Sequence, residues 1–114
     1  MEQDIFCKIV AGVIPANKIF EDKDVLAFPD INPQAPVHIL IIPKKHLTSL
    51  NDLDEKDKGL LGHMVLVSRR LAKEHGIAFT GYRVAINCGP QGGQVVPHLH
   101  MHLLGGRQLN GELG

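Results

Sequence analysis

At 114 residues the chain has the length of one domain, enough to bury roughly two thirds of the surface that its unfolded form exposes. Apolar residues make up 44% and charged residues 21%, which excludes a disordered or collagen-like polymer. Twelve Lys and Arg balance twelve Asp and Glu, so there is no basic footprint for a nucleic-acid polymer or an anionic membrane surface.

Residues 1–10 show neither the charged start nor the long apolar run of a signal segment, and nothing later approaches a membrane span. The expectation is a cytoplasmic protein with Cys7 and Cys88 as reduced thiols, one core, and a single domain over residues 1–114. Residues 4–11 read as a short helix capped by Asp4, with Ile5, Ile9 and Val10 near one face and Gly12 and Pro15 ending it. Residues 18–20 and 25–28 read as strands around the charged turn Glu21, Asp22, Lys23, Asp24, and residues 30–36 form a Pro-rich turn. The β-branched run 37–42 predicts a central strand buried on both faces and stopped by Pro43, with His38 its odd member. A long helix is expected from about 53–55 to His75, because Leu60, Leu61, Met64, Val65, Leu71 and Ala72 recur at helical spacing before Gly76. Residues 82–87 and 98–104 supply the last strands. Strands grouped on either side of one long helix favour an α+β fold with an antiparallel sheet over a doubly wound one.

In residues 98–104, histidine alternates with large apolar side chains. On a strand this period of two places His98, His100 and His102 on one face at intervals of about 6.5–7 Å, with Leu99, Met101 and Leu103 turned into the core. Such a face suits a metal site, a catalytic cleft or an inert polar surface. The loop immediately before it carries Gly89, Gly92 and Gly93, whose backbone amides can turn inward as a nest for anionic oxygens beside His100. Gln94 and, at the end of the preceding strand, Asn87 can add amide donors.

Taken together, these residues resemble the histidine triad nucleotide-binding proteins, in the branch that hydrolyses nucleoside phosphoramidates. The likeness rests on His98 to Leu104 followed by Gly105, Gly106 and Arg107, and on Gly92, Gly93 and Gln94. It extends to Ile5, Phe6 and Lys8, to Ile14 and Pro15, to the stretch from Asp30 to His38, and to Ile42, Pro43, Lys44, Lys45 and His46. The resemblance implies a five-stranded antiparallel sheet with one long and one short helix, extended to ten strands in a homodimer. It implies hydrolysis of the P–N bond of purine nucleoside 5′-phosphoramidates, AMP or GMP derivatives, through a nucleotidyl-histidine intermediate and with no required cofactor. His100 would be the nucleophile, His102 would contact the phosphate oxygens, His38 would orient and polarise the cluster, and His98 would stand behind them. Asp30 would accept from the ribose hydroxyls, Gly93, Gln94, Val95 and Asn87 would surround the phosphate, and the purine would lie against Phe6, Ile9, Ile14, Phe28, Ile31 and Leu40.

Val95 departs from the pattern, standing where many relatives place a hydroxyl residue that bonds the phosphate or leaving group. Binding should therefore be retained and turnover reduced. Rival readings are a dinucleoside polyphosphate hydrolase, a nucleotide-sensing interaction protein with little turnover, and a zinc-binding module. Zinc could sit on the triad itself or, as in bacterial relatives with a Cys-x-x-Cys pair, on Asp4, Cys7, His46 and His98, with Asp4 replacing one thiolate. Glutamine at the triad's last position would favour a transferase, but His102 is present.

Overall fold

The computed structural model describes residues 4–113; Met1 to Gln3, part of the signal-segment reading, and Gly114 lie outside the described residues. Five strands form an antiparallel sheet in the order β1-β2-β3-β5-β4. The strands are β1 (Phe20–Glu21), β2 (Val25–Pro29), β3 (Val37–Pro43), β4 (Tyr82–Ile86) and β5 (Met101–Gly105), and the helices are α1 (Ile5–Val10) and α2 (Lys58–Glu74). The α+β reading of the sequence holds. β3 is central, as its apolar run requires, because a strand flanked on both edges and covered on both faces leaves no place for a solvated side chain.

Alternation along the strands separates two apolar clusters. Val25, Ala27, Ile39, Ile41, Met101 and Leu103 face α2, where Met64, Val67, Leu71 and Ala72 complete the larger cluster. Leu26, Phe28, Leu40 and Ile42 face the other way and meet Phe6 and Ile9 of α1. The one core expected from sequence is thus two layers, one on each side of the sheet. Each fully buried Leu, Ile or Met among them contributes about 1.5–3 kcal/mol of transfer free energy.

Local signals set the helix ends. The Asp4 carboxylate accepts from the Cys7 N–H at 2.7 Å and starts α1, and Gly12 (φ +78°) follows it. α2 begins three to five residues later than its periodicity suggests, because Asp54 first caps a 3₁₀ turn, Glu55–Asp57, in a reciprocal capping box with Asp57. Among the described residues no helix is long and apolar enough to cross a membrane, and Cys7 and Cys88 are free thiols.

The expected strand over 98–104 is corrected at its start. β5 begins only at Met101: residues 96–98 form a bend and Leu99 and His100 follow outside any strand, with the His98 N–H donating to Val96 O (2.8 Å) and the Leu99 N–H to Leu47 O (2.6 Å). Those bonds take the place of a strand ladder, so the period of two does not carry across the whole triad.

Candidate functional site

On the α1 side of the sheet a cavity of about 700 Å³ opens between α1, the 30–36 loop and the 87–96 segment. Its size is that of a small-ligand site. Phe6, Ile9, Ile14, Phe28, Ile31 and Leu40 form its apolar wall, and Asp30, Asn87, Gly93, Val95, His38, His100 and His102 line it as well. Ile5, Asn17, Asn32, Gln34 and Val96 also reach it, which sequence reasoning missed. Only the position of Ile5, four residues before Ile9 on α1, offered a signal for them.

The register brings two histidines together from different strands. Leu40 pairs with His102 and His38 with Leu104, so His38 and His102 are diagonal neighbours on one face of the sheet. His38 Nε2 lies 2.9 Å from His102 Nδ1 and 3.4 Å from Asp30 Oδ2. The Gln34 N–H donates to His38 Nδ1 at 3.0 Å. A nitrogen that accepts carries no hydrogen in a neutral ring, so the His38 hydrogen is on Nε2, which donates to His102 Nδ1. His102 therefore carries its own hydrogen on Nε2, the ring edge away from His38. Burial, followed by the neighbouring His100 and His38 rings, pushes the His102 pKa down to about 4 against a weaker pull from Asp30. Burial also lowers His38, with Asp30 opposing. Both rings are neutral at pH 7.

His100 has the opposite tautomer. Its Nδ1 donates to the His98 carbonyl at 2.7 Å, so Nε2 keeps a lone pair. The ring stands 4.9 Å from that of His102 and is braced edge-on by Phe6 at 5.1 Å, centroid to centroid. A nucleophilic nitrogen and an N–H donor thus meet in a half-enclosed cavity beside a carboxylate suited to accepting two hydroxyls.

Two expected site residues stand apart. The His98 ring is fully buried and does not line the cavity: its Nε2 donates to Pro43 O at 2.9 Å, and its Nδ1 faces Asp4 Oδ2 at 3.3 Å and Cys7 Sγ at 3.5 Å. The bend before β5 turns it there. Gln94 is absorbed by its own loop, its Oε1 accepting from the Gly89 N–H (2.9 Å) and its Nε2 donating to Thr48 O (2.6 Å) and Val96 O (3.0 Å). The expected nest narrows for the same reason, since the Gly89, Gly93 and Gln94 amides all donate within the loop. Among the described residues the Val95 N–H donates to no protein acceptor. Glycine is required at position 92, where a Cβ would sit 2.3 Å from Cys88 O.

Two groups of side chains have the composition of a metal site: Asp4, Cys7, His46 and His98, and Asp30, His38 and His102. The second does not fit, because the Gln34 amide keeps the His38 hydrogen on the Nε2 that would have to bind the ion. The first does fit. His98 Nδ1 and Asp4 Oδ2 present lone pairs to each other and need a proton or a cation between them. Separations of 3.1 Å (Cys7 Sγ to His46 Nδ1), 3.2 Å (Asp4 Oδ2 to His46 Nδ1), 3.3 Å and 3.5 Å approach the roughly 3.3–3.6 Å edges of a tetrahedron around zinc. Burial and the Asp4 carboxylate push the Cys7 thiol up, whereas Asp4, raised by burial, is held below its usual range by the Cys7 amide and the two imidazoles.

With this geometry in hand, the profile of the HIT domain family matches residues 11–109. The chain belongs to the HIT domain family. HIT relatives include the 14 kDa zinc-binding protein of Zea mays, 53% identical over 108 residues that cover 93% of this chain and 84% of the maize protein. Adenylylsulfatase HINT1 of Arabidopsis thaliana is 50% identical over 108 residues, 93% of this chain and 73% of the plant protein. The crystal structure of a HIT family hydrolase from Legionella pneumophila superposes with a TM-score of 0.96 at 49% identity, covering 98% of this chain and all of that one. These matches support a histidine triad nucleotide-binding protein.

Proposed function

We propose that this chain hydrolyses the P–N bond of purine nucleoside 5′-phosphoramidates through a nucleotidyl-His100 intermediate. The observation that carries the reading is the tautomer of His100: with Nδ1 donating to His98 O, the neutral ring carries its lone pair on Nε2, beside the N–H donor of His102 in the cavity lining. Nε2 attacks the α-phosphorus, the P–N bond breaks, and its electron pair leaves with the amine, which takes up a proton from solvent. Water then attacks phosphorus and gives a proton back to solvent, the nitrogen–phosphorus bond to His100 breaks with its electron pair returning to Nε2, and nucleoside monophosphate leaves. His102 Nε2–H and the Val95 amide donate to the phosphoryl oxygens, Asp30 accepts from the ribose, and the Phe6, Ile9, Ile14, Phe28, Ile31 and Leu40 wall takes the base. His98 acts from behind, through its carbonyl. A dinucleoside polyphosphate or an adenylyl sulfate, the class named by the Arabidopsis relative, would present phosphorus to the same nitrogen.

Zinc on Asp4, Cys7, His46 and His98 belongs to this proposal as a structural ion that ties α1 to the bend before β5; it supplies no step of the reaction. The reading also includes one domain over the whole chain, a cytoplasmic location and a homodimer. The apolar Val65 and Leu66 exposed on α2, with Tyr82 and Val84 on the edge strand β4, support the last.

The test is release of AMP from adenosine 5′-phosphoramidate by untagged protein, with His100→Ala beside it at equal concentration. Release that disappears in the variant is expected. No release by the native chain, with nucleotide still bound, would replace the hydrolase by a nucleotide sensor.

A further inference from the structure

β5 ends at Gly105, and Gly106 and Arg107 follow it. The geometry there is specific. Gly106 has φ +92°, and a Cβ there would lie 3.0 Å from Pro36 Cβ, so only glycine lets the chain pass this close to the 30–36 loop. That passage delivers Arg107, whose Nε and Nη2 both donate to the Gln34 carbonyl, at 3.2 and 3.0 Å, while Nη1 donates to Gln108 O at 3.1 Å. The remaining hydrogen bonds of the loop are local: Asn32 N–H to Asp30 Oδ1, Gln34 Nε2 to Asn32 O, and Gln34 N–H to His38 Nδ1. Among the described residues, Arg107 is thus the one hydrogen-bonding partner that reaches residues 31–36 from outside β2, β3 and their turn.

The Gln34 N–H on Nδ1 and the Asp30 carboxylate 3.4 Å from Nε2 together set where the His38 hydrogen sits. Without the Gln34 N–H, His38 Nδ1 has no donor facing it and Asp30 alone favours the Nε2 hydrogen; a ring that carries its hydrogen on Nδ1 presents a lone pair to His102. His102 would then need its own hydrogen on Nδ1 to make the 2.9 Å bond, and its phosphate-facing Nε2 would change from donor to acceptor. A lone pair aimed at an anionic phosphoryl oxygen opposes binding of the transition state.

We propose that Arg107 is a positioning residue: by holding Gln34 it keeps the Gln34 N–H on His38 Nδ1, and so fixes both His38 and His102 as Nε2–H tautomers with a donor turned to the phosphate. The role rests on the reading of the cleft as a phosphoryl-transfer site. The tautomers themselves are measurable without turnover. The link runs through one backbone amide, and Gly106 supplies the close approach that makes it possible.

Long-range ¹H–¹⁵N correlation spectra of ligand-free protein at pH 7 report which ring nitrogen carries hydrogen, with signals assigned by their loss in His38→Gln and His102→Gln. The native chain should show Nε2–H for both rings. Arg107→Ala should shift both toward mixed tautomers and lower kcat on the phosphoramidate about fivefold, the factor one ordinary hydrogen bond represents, with KM changed less than twofold. Arg107→Gln, too short to reach Gln34 but milder to the fold, should do the same, and Arg107→Lys should restore part of the native pattern. Unchanged ring patterns in the Ala and Gln variants overturn the proposal, and so does a rise in KM alone with native patterns, which would make Arg107 a support for the ribose loop only. If the native chain releases no AMP, the phosphoramidase reading fails while the spectra still decide this one.

Discussion

Acid should destabilise this protein well above the pH at which carboxylates titrate, and His102 is the main cause. Its folded pKa is about 4, against 6.5 for a free imidazole, because the ring is buried and stands beside two other imidazoles. An imidazole with a lowered folded pKa binds fewer protons folded than unfolded, so falling pH favours the unfolded state. The stabilisation is complete above pH 6.5 and is lost progressively down to pH 4. Between pH 7 and pH 5 the two values give a loss of about 2 kcal/mol from this one ring. His38, also lowered, acts in the same direction.

Urea unfolding at pH 7 and pH 5, at one fixed protein concentration, measures the effect. With an m-value of about 1–1.5 kcal/mol/M for a chain of this size, the native midpoint should fall by more than about 1 M. His102→Gln removes the titrating ring, so its midpoint should fall by much less over the same interval, whatever its stability at pH 7. An equal fall in both proteins would refute the assignment of the acid sensitivity to His102.

Val95→Ser should raise kcat on the phosphoramidate several-fold with KM within a factor of two, because it adds a hydroxyl beside an amide already free to bind phosphate; an unchanged kcat removes Val95 from the account of turnover. Untagged protein should carry one zinc per chain, and Cys7→Ser should lose most of it and melt earlier; metal content near zero in the native chain sinks the zinc site. Gly105→Ala should cost about 1–3 kcal/mol, since its Cβ would lie 2.7 Å from Ile77 Cδ1, and Ile77→Val in the same chain should recover part of that loss in a denaturation experiment.

Where burial and periodicity agreed, the fold was legible from sequence. The 37–42 run read as a covered central strand, which the structure extends by one residue to Pro43, and Asp4 announced α1 because a carboxylate three residues before an amide is the standard way to satisfy a helix start. The cavity wall was legible by resemblance, as Phe6, Ile9 and Leu40 would otherwise read only as core. Two things were hidden. The alternation of 98–104 gives no sign that the ladder starts at Met101, because the bonds from His98 and Leu99 to Val96 and Leu47 depend on tertiary placement. The destination of the Gln94 amide was equally hidden, since Thr48 lies 46 positions away.

A neutral imidazole is ambiguous by itself, with either nitrogen able to hold the hydrogen, and this site removes the ambiguity with main-chain groups. Pro43 O takes the hydrogen of His98, His98 O takes that of His100, and the Gln34 N–H occupies the acceptor of His38, which then sets His102. The Asp30 carboxylate also faces His38 Nε2, at 3.4 Å, and is the one charged side chain at the rings that line the cleft; the other orienting partners are backbone dipoles, which act at no net charge. The bend before β5 follows from the same requirement. On a regular strand the His98 carbonyl lies in the plane of the sheet, engaged in the ladder; released by the bend, it turns to His100 Nδ1 while its own ring turns the other way to Asp4, Cys7 and His46. Breaking the alternation is what lets three similar side chains, two residues apart, hold three different positions.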